Sequence, residues 1–156
     1  MTYIMPNNTF LKVLIMGLPG SGKTTLASFL AENLNKLGVK SYWLNADEIR
    51  AKFNDWDFSI EGRQRQALRM KCLSEMKGQY YDVIICDFVC PLEKTRLEFN
   101  ADYIVYMNTI ESSQYDDTNK LFEPPSKYNY QALTKDCFLH GAAIMQDLVH
   151  ILNKKV

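Results

Sequence analysis

The apolar run LKVLIM at 11–16 leads straight into Gly17, Leu18, Pro19, Gly20, Ser21, Gly22, Lys23 and Thr24, and leucines at helical spacing follow. This is the pattern GxxxxGK[ST] in strand–loop–helix order, which leaves few folds open. The glycines let the backbone curl until its N–H groups point inward at an anion. The helix predicted at 24–37 adds the positive end of its dipole to the same point. The segment from Gly17 to Thr25 therefore reads as a cradle for the phosphates of a nucleoside triphosphate. In such a P-loop the lysine, here Lys23, bridges the β- and γ-phosphates, and the Thr24 hydroxyl ligates Mg²⁺. ATP and Mg²⁺ are the expected donor and metal.

The rest of the chain alternates strand and helix signals. Leu26, Leu30, Leu34 and Leu37 recur at helical spacing before Gly38. Strands are predicted at 39–44, 83–87 and 103–107, with a shorter fifth at 128–133, and 45–53 reads as a helix or turn. Ser59 is placed to cap a helix running to Lys77, which Gly78 ends. Pro91 is predicted to open another helix. Thr134 is predicted to cap a last one, with Phe138, Ala142, Met145, Val149 and Leu152 as its apolar stripe and Lys154 and Lys155 at its negative end. No linker or repeat interrupts the pattern, so one domain over 1–156 is expected. The fold class is α/β: a three-layer P-loop NTPase fold, a doubly wound parallel sheet of four to five strands with helices on both faces.

Charge and cysteine content narrow the function classes. Eighteen Lys and Arg balance eighteen Asp and Glu, which counts against a nucleic-acid partner held by a broad basic surface. The four cysteines form no CxxC pair, and His140 and His150 lack metal-ligand spacing. Residues 1–10 do not read as a signal peptide, and no stretch approaches the ~20 apolar residues of a membrane span. A reduced, cytoplasmic protein is expected, with a small-molecule partner, no membrane, and a homodimer left open.

The size of the chain suits a small-molecule kinase, and two acids stand where one needs them. Asp87 ends the third strand, where a carboxylate would hold the Mg²⁺ shell. Asp47 lies just past the second strand, where it would take the proton of an acceptor hydroxyl, or simply favour a helix start. Both fall at the carboxyl edge of the sheet, where ligands bind in such folds. Lys23, Asp47 and Asp87 are thus the candidate catalytic residues, and Thr24 and Asp87 the candidate metal ligands.

Four segments resemble the adenylylsulfate (APS) kinases. GLPGSGKTTLA at 17–27 is similar to the family's opening, and LNADEIR at 44–50 to its LDGDNVR. DWDFS at 55–59, with Arg63 and Gln66, resembles DLGFSxxDRxEN; FVCP at 88–91, with Arg96, resembles FISP and its trailing arginine. The resemblance spans about residues 11–107. It implies transfer of the ATP γ-phosphate to the 3′-hydroxyl of adenosine 5′-phosphosulfate, giving 3′-phosphoadenosine 5′-phosphosulfate (PAPS) and ADP. It also implies that Phe58 stacks on the acceptor's adenine, that Arg50 and Arg63 clamp its phosphate and sulfate oxygens, and that Asn45, Gln66, Phe88 and Val89 complete the pocket.

The departures fall in the acceptor half. The first Asp of DGDN is Asn45 and the Ser of FISP is Cys90, so direct in-line transfer is expected. The family's lid, with its RDxKGLY run, is replaced by a short polar lid at about 108–126, in which Lys120 is the candidate for the missing basic contact. A kinase for another hydroxyl acceptor, such as a nucleotide derivative, a sugar or a nucleic-acid 5′ end, and a non-catalytic nucleotide-binding regulator are the alternatives.

Overall fold

The computed structural model describes residues 10–154; the reading of residues 1–9 as free of a leader, and the role given to Lys155, lie outside that range. Strand β1, Leu11–Met16, is buried along its whole length. It sits at the centre of a parallel sheet ordered β2-β3-β1-β4-β5, in which β2 is Ser41–Asn45, β3 Val83–Asp87, β4 Tyr103–Met107 and β5 Tyr130–Ala132. A strand covered on both faces has to be apolar throughout, which explains LKVLIM and VIICD.

The residues of β1 divide between two cores because side chains alternate along a strand. Val13 and Ile15 pack with helices α1 (Lys23–Lys36) and α6 (Cys137–Lys154). Leu14 and Met16 pack with α2 (Ala46–Phe53), α3 (Ile60–Lys77) and α4 (Glu93–Phe99) on the other face. Leu26, Leu30 and Leu34 of α1 are fully buried, each contributing about 1.5–3 kcal/mol. No helix among the described residues is long and apolar enough to cross a membrane.

Four local expectations need correction. The second strand starts at Ser41 rather than 39, because the carbonyl of Lys40 is held in a turn by the N–H groups of Asp82 and Val83. The helix after Pro91 starts at Glu93: Cys90 adopts a left-handed φ of 47°, and the Pro91 carbonyl instead accepts from Glu123 and Arg96. Thr134 does not cap α6. Its hydroxyl pairs with His140 Nε2 at 2.7 Å, while Asp136 Oδ1 accepts from the Leu139 N–H at 3.1 Å. Met145, Val149 and Leu152 of the predicted stripe pack against the core, but Phe138 and Ala142 are exposed, because the fully buried face of α6 is rotated partly away from it. That face runs through His140, Gly141, Ile144 and Leu148, whereas Phe138 is 74 % exposed. Gly141 sets that rotation, since a Cβ there would lie 2.3 Å from the Phe29 ring of α1.

The polar stretch after β4 is partly helical: α5, Asp116–Leu121, follows a turn closed by Ser113 and Asn119. Ser59 caps α3 through the Gly62 N–H at 3.1 Å, and Asn45 caps α2 through the Glu48 N–H at 3.0 Å. Neighbours of β1 lie on both sides of it, so the sheet order reverses there and a crevice opens at the strands' carboxyl ends.

Candidate active site

The phosphate loop rises into that crevice from β1. Gly20 and Gly22 hold φ values of 82° and 100°, a left-handed backbone that favours glycine. At Gly17 a Cβ would lie 2.7 Å from the Met107 carbonyl oxygen, so β4 fixes the loop's first residue. Lys23 is buried, and its ammonium donates to the Leu18 carbonyl at 2.9 Å. Burial lowers its pKa to about 8, against the pull of Asp87 and Asp47.

That value has a consequence for binding. A triphosphate pairs with the ammonium form, so affinity should be level below pH 8 and fall as Lys23 loses its proton above it. From pH 7 to pH 9 a non-hydrolysable ATP analogue should weaken about tenfold in titration calorimetry. A flat profile over that range contradicts the assignment of Lys23.

Asp87, at the end of β3, is buried and held from two sides. The indole N–H of Trp43 donates to its Oδ2, and Asn45 Nδ2 donates to both oxygens at 3.1 and 3.2 Å. Burial raises the Asp87 pKa, and these hydrogen bonds and Lys23 oppose the rise. Asn45 Nδ2 also lies 3.4 Å from the Thr24 hydroxyl, which brings Thr24 and Asp87 to one spot. A hydroxyl and a carboxylate are hard oxygen donors. They fit Mg²⁺, which takes one or two protein oxygens and fills its octahedron with water and phosphate oxygens.

A cavity of about 920 Å³ spans the crevice. One wall carries Pro19, Gly20, Gly22, Lys23, Thr24 and Thr25, and the other carries Asp47, Arg50, Phe58, Arg63, Gln66, Phe88 and Val89, with Asp87 also facing it. Gly17, Leu18 and Ser21 shape the loop without bordering this cavity, and Asn45 stands behind its wall. Lys120 is exposed on α5 and does not border it either. Helix α5 turns Asp117 and Thr118 inward, and two residues beyond Thr118 is about 200° around the helix. A different lysine is present: Lys135, whose stem passes Gly22, lines the cavity.

The acceptor side is built by arginines that already hold the backbone. Arg50 Nη1 donates to the carbonyls of Asp55 and Asp57 at 2.9 and 3.1 Å, and its guanidinium lies 4.3 Å from the Phe58 ring centre. Arg63 Nε donates to the Phe58 carbonyl at 2.9 Å and Nη2 to the Thr118 hydroxyl at 2.8 Å. Asp117 lies 3.8 Å from the same Nη2. Gln66 Nε2 donates to the Ala46 carbonyl at 3.0 Å. Arg65 pairs with Asp55 and Asp57 and Arg69 with Asp55, and Arg63 is the one of the α3 trio that lines the cavity. Cys90 is buried, and burial pushes its thiol up to about 12, so it stays protonated at neutral pH.

Trp43, Tyr115, Thr118 and Lys135 escaped the sequence reading, and Trp56, quoted there only within DWDFS, also lines the cavity. A signal existed for Trp43: it sits two residues before Asn45 on one strand, so both side chains share a face. Lys135 follows β5 at the carboxyl edge, where the sheet-edge rule applies. Thr118 gave no signal, because its burial depends on where a short polar helix lands.

A family model described as adenylylsulphate kinase matches residues 10–119. The chain belongs to the adenylylsulphate kinase family. The probable adenylyl-sulfate kinase of Aeropyrum pernix is 35% identical over 85 residues, 54% of this chain and 46% of that protein. The adenylyl-sulfate kinase of Buchnera aphidicola is 36% identical over 81 residues, 51% of this chain and 39% of that protein. The matched stretch thus spans less than half the length of either relative. The Mycobacterium tuberculosis APS kinase structure, in complex with AMPPNP and APS, superposes with a TM-score of 0.74 at 18% identity, covering 91% of this chain and 98% of that one. The fold is therefore the adenylylsulphate kinase fold, and the family match ends inside α5.

Proposed function

We propose that this chain is an ATP-dependent kinase that phosphorylates the 3′-hydroxyl of adenosine 5′-phosphosulfate, yielding PAPS and ADP. The observation that carries this reading is the single cavity joining Lys23 and Thr24 to Asp47, Arg50, Phe58 and Arg63. The loop N–H groups and Lys23 hold the β- and γ-phosphates, and Thr24 and Asp87 hold Mg²⁺. When bound, Mg²⁺ supplies positive charge against the phosphate oxygens. Phe58 stacks on the acceptor's adenine, while Arg50 and Arg63 bind its phosphate and sulfate oxygens. Asp47, exposed at the cavity wall, takes the proton of the attacking 3′-oxygen as that oxygen's bond to the γ-phosphorus forms and the bond to the β,γ-bridging oxygen breaks. The protonated thiol of Cys90 supports direct transfer without a phosphoenzyme.

One observation favours a different hydroxyl acceptor. Asp117 stands beside Arg63, and an anionic acceptor has to share that arginine with it. The two readings separate when the protein is incubated with ATP and Mg²⁺ against a panel containing APS, other nucleotides and sugars, with products identified by mass. PAPS as the main product is expected. Transfer confined to another member of the panel sinks the first reading, and binding of ATP without transfer to any acceptor favours a regulator.

A further inference from the structure

Strands β2 and β3 are parallel neighbours with Trp43 opposite Ile85 and Asn45 opposite Asp87. Residues two apart on a strand share a face, so Trp43, Asn45 and Asp87 project to one side, where α1 begins with Lys23 and Thr24. The two β2 side chains meet Asp87 with three donor contacts. Trp43 Nε1 takes Oδ2, and Asn45 Nδ2 spans Oδ1 and Oδ2 at 3.2 and 3.1 Å. The opposite end of Asn45 is fixed as well, since its Oδ1 accepts from the Glu48 N–H at 3.0 Å. The amide is thus locked between a helix start and a carboxylate, with both of its ends in use.

A carboxylate offers about four lone-pair directions. Those facing β2 are filled, and Asp87 also lines the cavity. A carboxylate at a strand end otherwise turns broadly about χ2. We propose that Trp43 and Asn45 are positioning residues that lock the Asp87 carboxylate facing the Thr24 hydroxyl, and so set the affinity of the loop for the metal–nucleotide complex. This rests on the reading of the loop as a Mg²⁺–ATP site. It gives Asn45 a role other than acceptor contact and explains why an amide stands there: a carboxylate at 45 would face Asp87 at hydrogen-bond distance and repel it. It also separates two things Trp43 does, because the ring packs against the core on the α1 side while the N–H reaches Asp87.

Two variants of the full chain test it. Trp43→Phe keeps an aromatic ring and removes the N–H. Asn45→Ser keeps a residue that caps α2 and replaces the amide that reaches Asp87 with a shorter hydroxyl. Binding of AMPPNP is measured by calorimetry with and without Mn²⁺, alongside thermal melts. Each variant should weaken the Mn²⁺-dependent part of the affinity by about tenfold or more, the usual effect of losing an outer partner of a ligating carboxylate. Metal-free AMPPNP binding should stay within about twofold, since the loop's own N–H groups are untouched. Unchanged Mn²⁺ dependence in both variants overturns the proposal, as does an equal loss with and without metal, which marks packing alone. A loss in Asn45→Ser only removes Trp43 from the assignment, and Asn45→Ser carries the test if Trp43→Phe does not fold. If Mn²⁺ adds no affinity to the unmodified protein, the metal–nucleotide reading of the loop fails first and the proposal falls with it.

Discussion

Lys23→Ala is expected to lower phosphoryl transfer by about 10³-fold or more while leaving the protein folded. The charge that develops on the transferring group has to be met by fixed positive charge in a site that excludes water, and Lys23 is the buried cation of the phosphate loop. Its removal costs little stability. Burial already disfavours the ammonium and lowers its pKa to about 8, and the hydrogen bond it makes among the described residues is to the Leu18 carbonyl. The melting temperature should therefore stay within about 3 °C, roughly the effect of 1 kcal/mol in a chain of this size. Steady-state rates and a thermal melt on the same preparation check both halves. Transfer that survives in a folded Lys23→Ala protein would show that the loop is not the donor site.

Arg96→Met should have the largest effect on stability, about 3 kcal/mol, seen as a fall of about 6–12 °C in melting temperature. Arg96 is buried and has no carboxylate partner among the described residues. It donates instead to the carbonyls of Cys90, Pro91 and Glu123, joining the turn after β3 to the far end of the lid. Methionine preserves much of the stem and supplies no donor, so the Cys90 and Glu123 carbonyls lose their partner and Pro91 keeps only the Glu123 N–H, in a region water reaches poorly. Cys90 and Pro91 border the acceptor half of the cavity. The KM for the acceptor should accordingly rise more than that for ATP, and an equal rise in both would argue against this link.

The donor half was legible in the sequence because its chemistry is local. A strand, a glycine loop and a helix start, contiguous from Leu11 to Thr25, build it with no help from distant segments, and the central strands announce themselves as short apolar runs. Asp47 and Asp87 could be placed because both follow directly from strand ends. What failed depended on rotation or on long-range landing. The stripe on α6 was right at Met145, Val149 and Leu152 and wrong at Phe138, because Gly141, not the large residues, decides how closely α1 approaches. Thr134 matched a capping signal, yet its hydroxyl is held by His140 and the cap falls to Asp136. Lys120 was chosen by charge within a polar stretch, and the helix that forms there turns it away while Asp117 and Thr118 face Arg63. Asn45 was read as an acceptor contact because its motif position carries one, whereas its cross-strand partner Asp87 claims its amide.

In the proposed reaction the phosphate held over Lys23 and Thr24 passes to an acceptor seated between Phe58 and the arginines Arg50 and Arg63. The most direct measurement is a single-turnover reaction of the protein with γ-labelled ATP, Mg²⁺ and adenosine 5′-phosphosulfate, followed by locating the label. The label should appear on the 3′-oxygen of PAPS in step with ADP formation, and none should be trapped on the protein. Label that stays in ATP, passes only to water, or is transferred solely when another hydroxyl compound is supplied would contradict it.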